Sequence, residues 1–385
     1  MLTAPPLGLY VHLPWCVSKC PYCDFNSHGL RAPLPWRRYT DAVVRDLDFA
    51  TRGLKDREIS TVFFGGGTPS LFPAESIAEI LSAAARRIAI AADAEVTLEA
   101  NPGALELGDL GAFRDAGVNR ISLGVQSFDP DALAALGRVH GPGEARSAAA
   151  AAPAAGLDRL NLDLMYGLPG QTLAGAVADL RAALELAPEH ISHYQLTLEP
   201  NTLFHARPPA LPDEDVAAAM QEKTGFFLQS AGYRRYEVSA WSLPGAECRH
   251  NLNYWRYGDY LAVGAGAHGK ITWPASGRIE RNRRLRHPEA YMAAPDPVES
   301  RTEVAGNDRI FEFMLNALRL VEGFDAALFE CRTGVPVRSL AAALDVASRR
   351  GLLDSRGDSA WRPTPRGLQF LNDLQILFLP EAPLP

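Results

Sequence analysis

The chain has 385 residues, 47% of them hydrophobic and 22% charged, with a formal net charge of -7. That length and apolar content support a large buried core and leave room for more than one domain. Five cysteines are too few for a disulfide framework, the acidic balance argues against generic nucleic-acid binding, and no run of about twenty apolar residues marks a membrane span.

In chain order, short β-branched or apolar runs at 7–13, 59–64, 95–99, 120–125, 160–166 and 191–198 read as strands. Segments 36–53, 75–92, 105–116 and 172–187 between them have helical length and periodicity. The alanine-rich tract 148–155, broken by Pro153, reads as a helix with small packing residues. Six βα units result, and such alternation builds a parallel sheet with right-handed crossovers. Polar residues at nearly every predicted strand end place an active rim at the C-terminal edge of an α/β fold, a partial (β/α)6 relative of the TIM barrel. The expected division is a barrel at 1–235, a connecting region at 236–300 and a C-terminal domain at 301–385.

Three of the five cysteines crowd into Cys16-Val-Ser-Lys-Cys20-Pro-Tyr-Cys23, just after the first predicted strand. Thiolates at these gaps can wrap one metal centre, whereas bridging them to one another would strain so short a loop and leave an odd thiol. Offered to a four-iron cube, three sulfurs leave one iron open to a small molecule. A structural zinc ion, with His12 or His28 as fourth ligand, is the competing reading.

The predicted rim carries further polar groups. The second strand runs into Gly65-Gly66-Gly67-Thr68-Pro69, where glycines let backbone approach a ligand closely and offer bare amides and carbonyls, acceptors suited to an ammonium group. Glu99 and Asn101 end the third strand, Gln126 the fourth, and Asp163 lies in the fifth. Carboxylates and amides there can accept from ribose hydroxyls or an adenine amine, although each alone serves equally well as a helix cap or a satisfied rim group.

Cys16-x3-Cys20-x2-Cys23, Gly65-Gly-Gly-Thr-Pro69, Gly124-Val-Gln-Ser127 and Asp163-Leu-Met-Tyr-Gly-Leu-Pro-Gly-Gln-Thr172 together resemble the coproporphyrinogen-oxidase-like branch of the radical S-adenosylmethionine superfamily, over nearly the whole chain. The resemblance implies a [4Fe-4S] cluster held by Cys16, Cys20 and Cys23, with the amine and carboxylate of S-adenosylmethionine on the fourth iron. It also implies contacts to S-adenosylmethionine from Tyr10, the backbone around Tyr22, Gly66, Gly67, Thr68, Glu99, Gln126, Arg138 and Asp163. Arg138 rests on the resemblance alone.

Within that branch, the oxygen-independent coproporphyrinogen III oxidases typically carry another cysteine two positions after the third cluster ligand, where Phe25 stands here, and a long N-terminal lid, where only fifteen residues precede Cys16. His250-Asn251-Leu-Asn-Tyr254-Trp255 is similar to an element of the branch's heme chaperones, which implies heme as ligand, His250 as a candidate iron ligand and recipient hemoproteins as partners. An imidazole beside aromatic rings suits heme, yet the same residues can close a core. Cys248 and His268 are alternative ligands, and arginines between Arg278 and His287 are candidates for heme propionates, anionic lipid heads or a solvated face.

From residue 301 onward, helices at 307–320, 325–332 and 337–349, a hairpin at 351–361 and a short helix at 368–373 suggest a mainly helical, winged-helix-like module. Ten arginines, no lysine and eleven acidic residues give it a net charge of -1, too little for duplex DNA, so packing against the barrel or a protein partner is expected. Three classes of function follow: a heme chaperone, an oxygen-independent coproporphyrinogen III oxidase, and a zinc-stabilised interaction protein. Reduced thiols and an oxygen-sensitive cluster favour the cytoplasm; peripheral membrane contact and a homodimer are left open.

Overall fold

The structure, a computed structural model, describes residues 2–103, 106–157, 159–357 and 359–379. Six strands run parallel and in chain order: β1 (Leu7–Leu13), β2 (Glu58–Gly66), β3 (Ala89–Ala100), β4 (Arg120–Gln126), β5 (Arg159–Tyr166) and β6 (His190–Gln195). Leu7, Leu9, Val11 and Leu13 of β1 are all buried, as are Ile59, Val62 and Phe64 of β2. Such apolar strands are what a parallel sheet covered by crossover helices requires.

The crossovers carry α1 (Trp36–Ala50), α2 (Ala74–Ala85), α3 (Leu110–Asp115), α4 (Pro130–Ala135), α5 (Pro142–Ala154) and α6 (Leu173–Leu184). The alanine-rich tract falls in α5, where Ala145, Ala148, Ala149 and Ala152 are buried on one face and Pro153 sits in the last turn. Two predicted helices are shorter than expected. The one at 75–92 ends at Ala85 because Ala89 and Ile90 pair with Glu58 and Ile59, and pairing with β2 outweighs the helix preference of alanine. The one at 105–116 begins at Leu110, where the Asp109 side chain accepts from Ala112 N; Leu105 lies outside the described residues.

The sheet continues on both sides. Beyond β6 lie antiparallel β8 (Ala240–Ser242) and then β7 (Arg234–Glu237), preceded by α7 (Glu214–Ser230), a helix the sequence reading lacks. Beside β1, β9 (Asp259–Val263) runs parallel, followed by antiparallel β10 (His268–Trp273), β11 (Arg278–Arg284) and β12 (Val298–Val304). Residues 236–300, expected as a connection, therefore build strands of the same sheet, which has twelve strands among the described residues.

Two contacts fix that flank beside β1. Gly264 has φ +103°, and a Cβ there would lie 2.3 Å from His12 O, so only glycine lets the chain turn this close to β1. Arg284 Nε donates to buried Asp46 of α1 at 2.8 and 3.0 Å; the same carboxylate accepts from Tyr291 OH at 2.9 Å and Gly264 N at 3.2 Å. The basic stretch is thus largely structural: Arg281 pairs with Glu312 and Arg283 with Glu299.

The C-terminal part holds α9 (Asn307–Ala317), α10 (Ala326–Thr333), α11 (Ala341–Arg349) and a three-stranded sheet of Phe324–Asp325, Ala360–Pro363 and Leu353–Ser355. Phe313, Phe324, Phe329 and Leu344 pack there with Ile279 and Val304 of the large sheet, so this part shares a core with β11 and β12. No helix among the described residues is long and apolar enough to cross a membrane.

Candidate cofactor site

The cysteine loop leaves β1 and is clamped by its neighbours. Gly67 N and Thr68 N donate to Leu13 O and Trp15 O at 2.8 and 2.7 Å, and His28 N and Leu30 N donate to Pro14 O and Cys16 O at 2.7 and 2.9 Å. A Cβ on Gly67 would lie 2.5 Å from Trp15 O, and one on Gly66 (φ +120°) would lie 2.6 Å from the His12 ring. The glycines thus serve first to seat this loop. Their amides are used, Gly66 N by Glu99 at 3.1 Å, so what the segment still offers a ligand is carbonyl oxygen, an acceptor for an amine.

Cys16, Cys20 and Cys23 are free and open together onto a cavity of about 430 Å³ at the C-terminal ends of the parallel strands. Lys19 Nζ steadies the loop by donating to Phe25 O and Ser27 O at 3.0 and 3.3 Å. Burial pushes the Cys16 thiol up to about 11 and raises that of Cys23. Arg138, in the turn after α4, donates to Cys20 Sγ at 3.5 Å, to Asn101 Oδ1 at 2.6 Å and to Gly124 O at 2.7 Å. One guanidinium therefore ties the cysteine loop to the ends of β3 and β4.

Glu99, Gln126 and Asp163 line the same cavity with Tyr22, Gly66 and Gly67. Burial, with the nearby Asp163 charge, pushes the Glu99 carboxyl up to about 8. Asp163 is raised by burial and accepts from Ser122 Oγ at 3.2 Å and Asn161 Nδ2 at 2.9 Å. Gln126 ends β4 with φ +69° and accepts from Tyr194 OH at 2.8 Å, an uncommon conformation that tilts its amide off the strand. Thr68 lies behind the wall, accepting from Asn101 Nδ2 at 3.0 Å.

Tyr10 faces a second cavity of about 710 Å³, which shares Asp24, Phe25, Gly66 and Glu99 with the first and adds Tyr254, Tyr260, His268, Arg283 and Arg286. His250 does not reach either cavity. It is 3% exposed, its Nδ1 is hydrogen-bonded to Thr61 Oγ1 at 2.8 Å, and its ring stacks on Phe63 at 5.1 Å. In α8 (Arg249–Trp255) it is Tyr254, one turn on, that reaches the cavity wall, while His250, the candidate iron ligand, is buried behind it with Nε2 unpartnered among the described residues.

Residues 10–183 match the Radical SAM superfamily and residues 304–370 the HemN C-terminal domain. The chain is 48% identical over 381 residues to the heme chaperone HemW of Escherichia coli (strain K12), covering 99% of this chain and 100% of that one. Against the heme chaperone HemW of Mycobacterium tuberculosis (strain H37Rv) it is 38% identical, covering 92% and 90%. The chain belongs to the HemW family of radical SAM proteins. Its fold is that of the coproporphyrinogen III oxidase HemN from Escherichia coli, with a TM-score of 0.82 at 22% identity, covering 97% of this chain and 90% of that one.

Radical SAM membership implies a [4Fe-4S] cluster and S-adenosylmethionine, and the donor set fits them. Among the described residues no three His, Cys, Asp or Glu side chains converge to hold a single metal ion. Three free thiols opening onto one cavity match the three protein ligands of a cluster with one open iron. His12, once a candidate zinc ligand, has Nδ1 on Tyr10 OH and Nε2 on Asn26 O, both at 2.9 Å. The sequence reading lacked Tyr194, Thr197 and Glu199, which also line the first cavity. They lie at and beyond the end of β6, and a strand predicted to run on to residue 198 hid them.

Proposed function

We propose that this chain is a heme chaperone: it binds heme beside a [4Fe-4S]/S-adenosylmethionine site and hands it to recipient hemoproteins. The observation that carries this reading is the match, over nearly all of both chains, to proteins named heme chaperones. Phe25, where coproporphyrinogen III oxidases carry another cysteine, supports it over decarboxylation.

Cys16, Cys20 and Cys23 hold the cluster in this reading, with Arg138 donating a hydrogen bond to Cys20 Sγ. When bound, the cluster supplies one-electron chemistry to S-adenosylmethionine at its open iron. The carbonyls of Gly66 and Gly67 and the Glu99 carboxyl accept from the methionine amine. Gln126 and Asp163 accept from the nucleoside, Tyr22 lends backbone, and Thr68 supports the wall from behind.

One anaerobic preparation tests the proposal against its competitor. Stoichiometric heme uptake and transfer to an apo-hemoprotein, without carbon dioxide release from coproporphyrinogen III, is expected. Sustained decarboxylation would overturn it.

A further inference from the structure

Resting on the chaperone reading, we propose that heme sits in the second cavity, with the His268 imidazole as its axial ligand and Arg286 as partner to a propionate. The assignment comes from what the cavity wall contains.

His268 opens β10 and is exposed, and it makes no side-chain hydrogen bond among the described residues. Partial burial of the ring together with Arg283 and Arg281 lowers its pKa, which favours the neutral form that offers iron a nitrogen lone pair. The other candidates are enclosed. His250 is held by Thr61, and Cys248 is fully buried with its thiol on Glu95 at 3.6 Å.

The surroundings offer a flat ligand an aromatic wall and one of its carboxylates a cationic partner, with Asp24 and Glu99 elsewhere on the wall. Tyr254 and Tyr260 stack at 4.1 Å and line the cavity as an aromatic wall. His268 pairs in register with Arg283 across β10 and β11, but Arg283 is engaged by Glu299 at 2.7 Å. Arg286 holds only the neutral Asn26 Oδ1, at 3.3 Å, and has no carboxylate partner among the described residues, so its charge is available to a propionate.

The location also explains why the two ligand sites occur together. Asn26, three residues after Cys23, donates to Ala265 O and Arg286 O at 2.9 and 3.0 Å. Gly266 (φ +75°) has no room for a Cβ, which would lie 2.4 Å from Asn26 Nδ2. The segment presenting His268 and Arg286 is thus pinned to the cluster loop, and Gly66 and Glu99 form a wall common to both cavities.

The test is an anaerobic hemin titration of the intact, cluster-loaded protein, read by the Soret band. His268→Ala should weaken binding at least about tenfold and change the spectrum, and His268→Met should bind with a shifted band, because a thioether replaces the imidazole. Arg286→Gln should weaken hemin several-fold yet leave binding of hemin dimethyl ester as in wild type. If His268→Ala does not fold, the His268→Met spectrum decides. Wild-type affinity and spectrum in both His268 variants, or loss of the band in His250→Ala alone, would overturn the assignment while leaving the chaperone reading intact. A wild-type protein that takes up no heme would overturn that reading as well.

Discussion

Replacing Arg138 by leucine probes the point where the cysteine loop meets the barrel. The guanidinium serves three acceptors: Cys20 Sγ at 3.5 Å, Asn101 Oδ1 at 2.6 Å and Gly124 O at 2.7 Å. Leaving two oxygens without donors costs about 1–3 kcal/mol each in a dry site. Water can enter the adjoining cavity, so a total near 2 kcal/mol is expected. The charge matters more to the thiolate. At 3.5 Å and an effective dielectric of 20 the attraction is about 4–5 kcal/mol before desolvation is subtracted, enough to change cluster retention by more than about tenfold. The assay is iron release to a chelator under argon, with urea denaturation in parallel. Arg138→Leu should lose iron much faster and unfold earlier, and Arg138→Lys should fall between, since a lysine keeps the charge without the planar fork. Wild-type release and midpoint in Arg138→Leu would refute the reasoning.

Three further outcomes follow from other parts of the structure. Because the native state raises Glu99 from 4.5 to about 8, it holds a proton that the unfolded chain has released, so ligand-free stability should fall as pH rises from about 4.5 through 8. Glu99→Gln should flatten that slope in pH-dependent denaturation, and an unchanged profile would contradict it. Asp46→Asn leaves buried Arg284 without its counter-charge and should cost about 3–5 kcal/mol by urea denaturation, against under 1 kcal/mol if the pair is idle. Gly67→Ala meets the Trp15 carbonyl and should lower iron content after reconstitution, with a stability loss of about 1–3 kcal/mol; full iron loading would refute that packing role.

Much of the barrel was legible because its strands carry apolar cores, LGLYVHL in β1 and VFF in β2 among them, and several of its turns are marked by glycine and proline. β1 matches its predicted bounds, Leu7–Leu13, and the cysteine spacing marked the cluster loop without reference to tertiary structure. The flank beside β1 was not legible. Arg278–Arg284 reads as a polar stretch, yet it forms an interior strand in which Arg281, Arg283 and Arg284 are absorbed by Glu312, Glu299 and Asp46, partners on other elements. β3 was read too late for a related reason: Ala89–Ala94 has no strand character of its own and is held extended by β2.

The candidate site divides the same way. Most of the proposed S-adenosylmethionine contacts meet in one cavity: Gly66, Glu99 and Gln126 lie at the ends of parallel strands and Asp163 within one, where the topology gathers polar groups, while Tyr22 and Arg138 come from the loops above them. The second cavity draws on β1, α8 and the segment from β9 to β11, a juxtaposition no local pattern announces. His250 stood out in sequence by its aromatic neighbours, and one of them, Tyr254, closes around the ring together with Phe63 from the distant β2.

The central claim is that Cys16, Cys20 and Cys23 carry a cluster with one iron left open to S-adenosylmethionine. The most direct measurement is Mössbauer and electron paramagnetic resonance spectroscopy of anaerobically reconstituted protein, before and after adding S-adenosylmethionine. About four irons per chain and a spectrum that changes on addition are expected. A colourless protein that retains zinc, or a cluster indifferent to S-adenosylmethionine, would contradict the account.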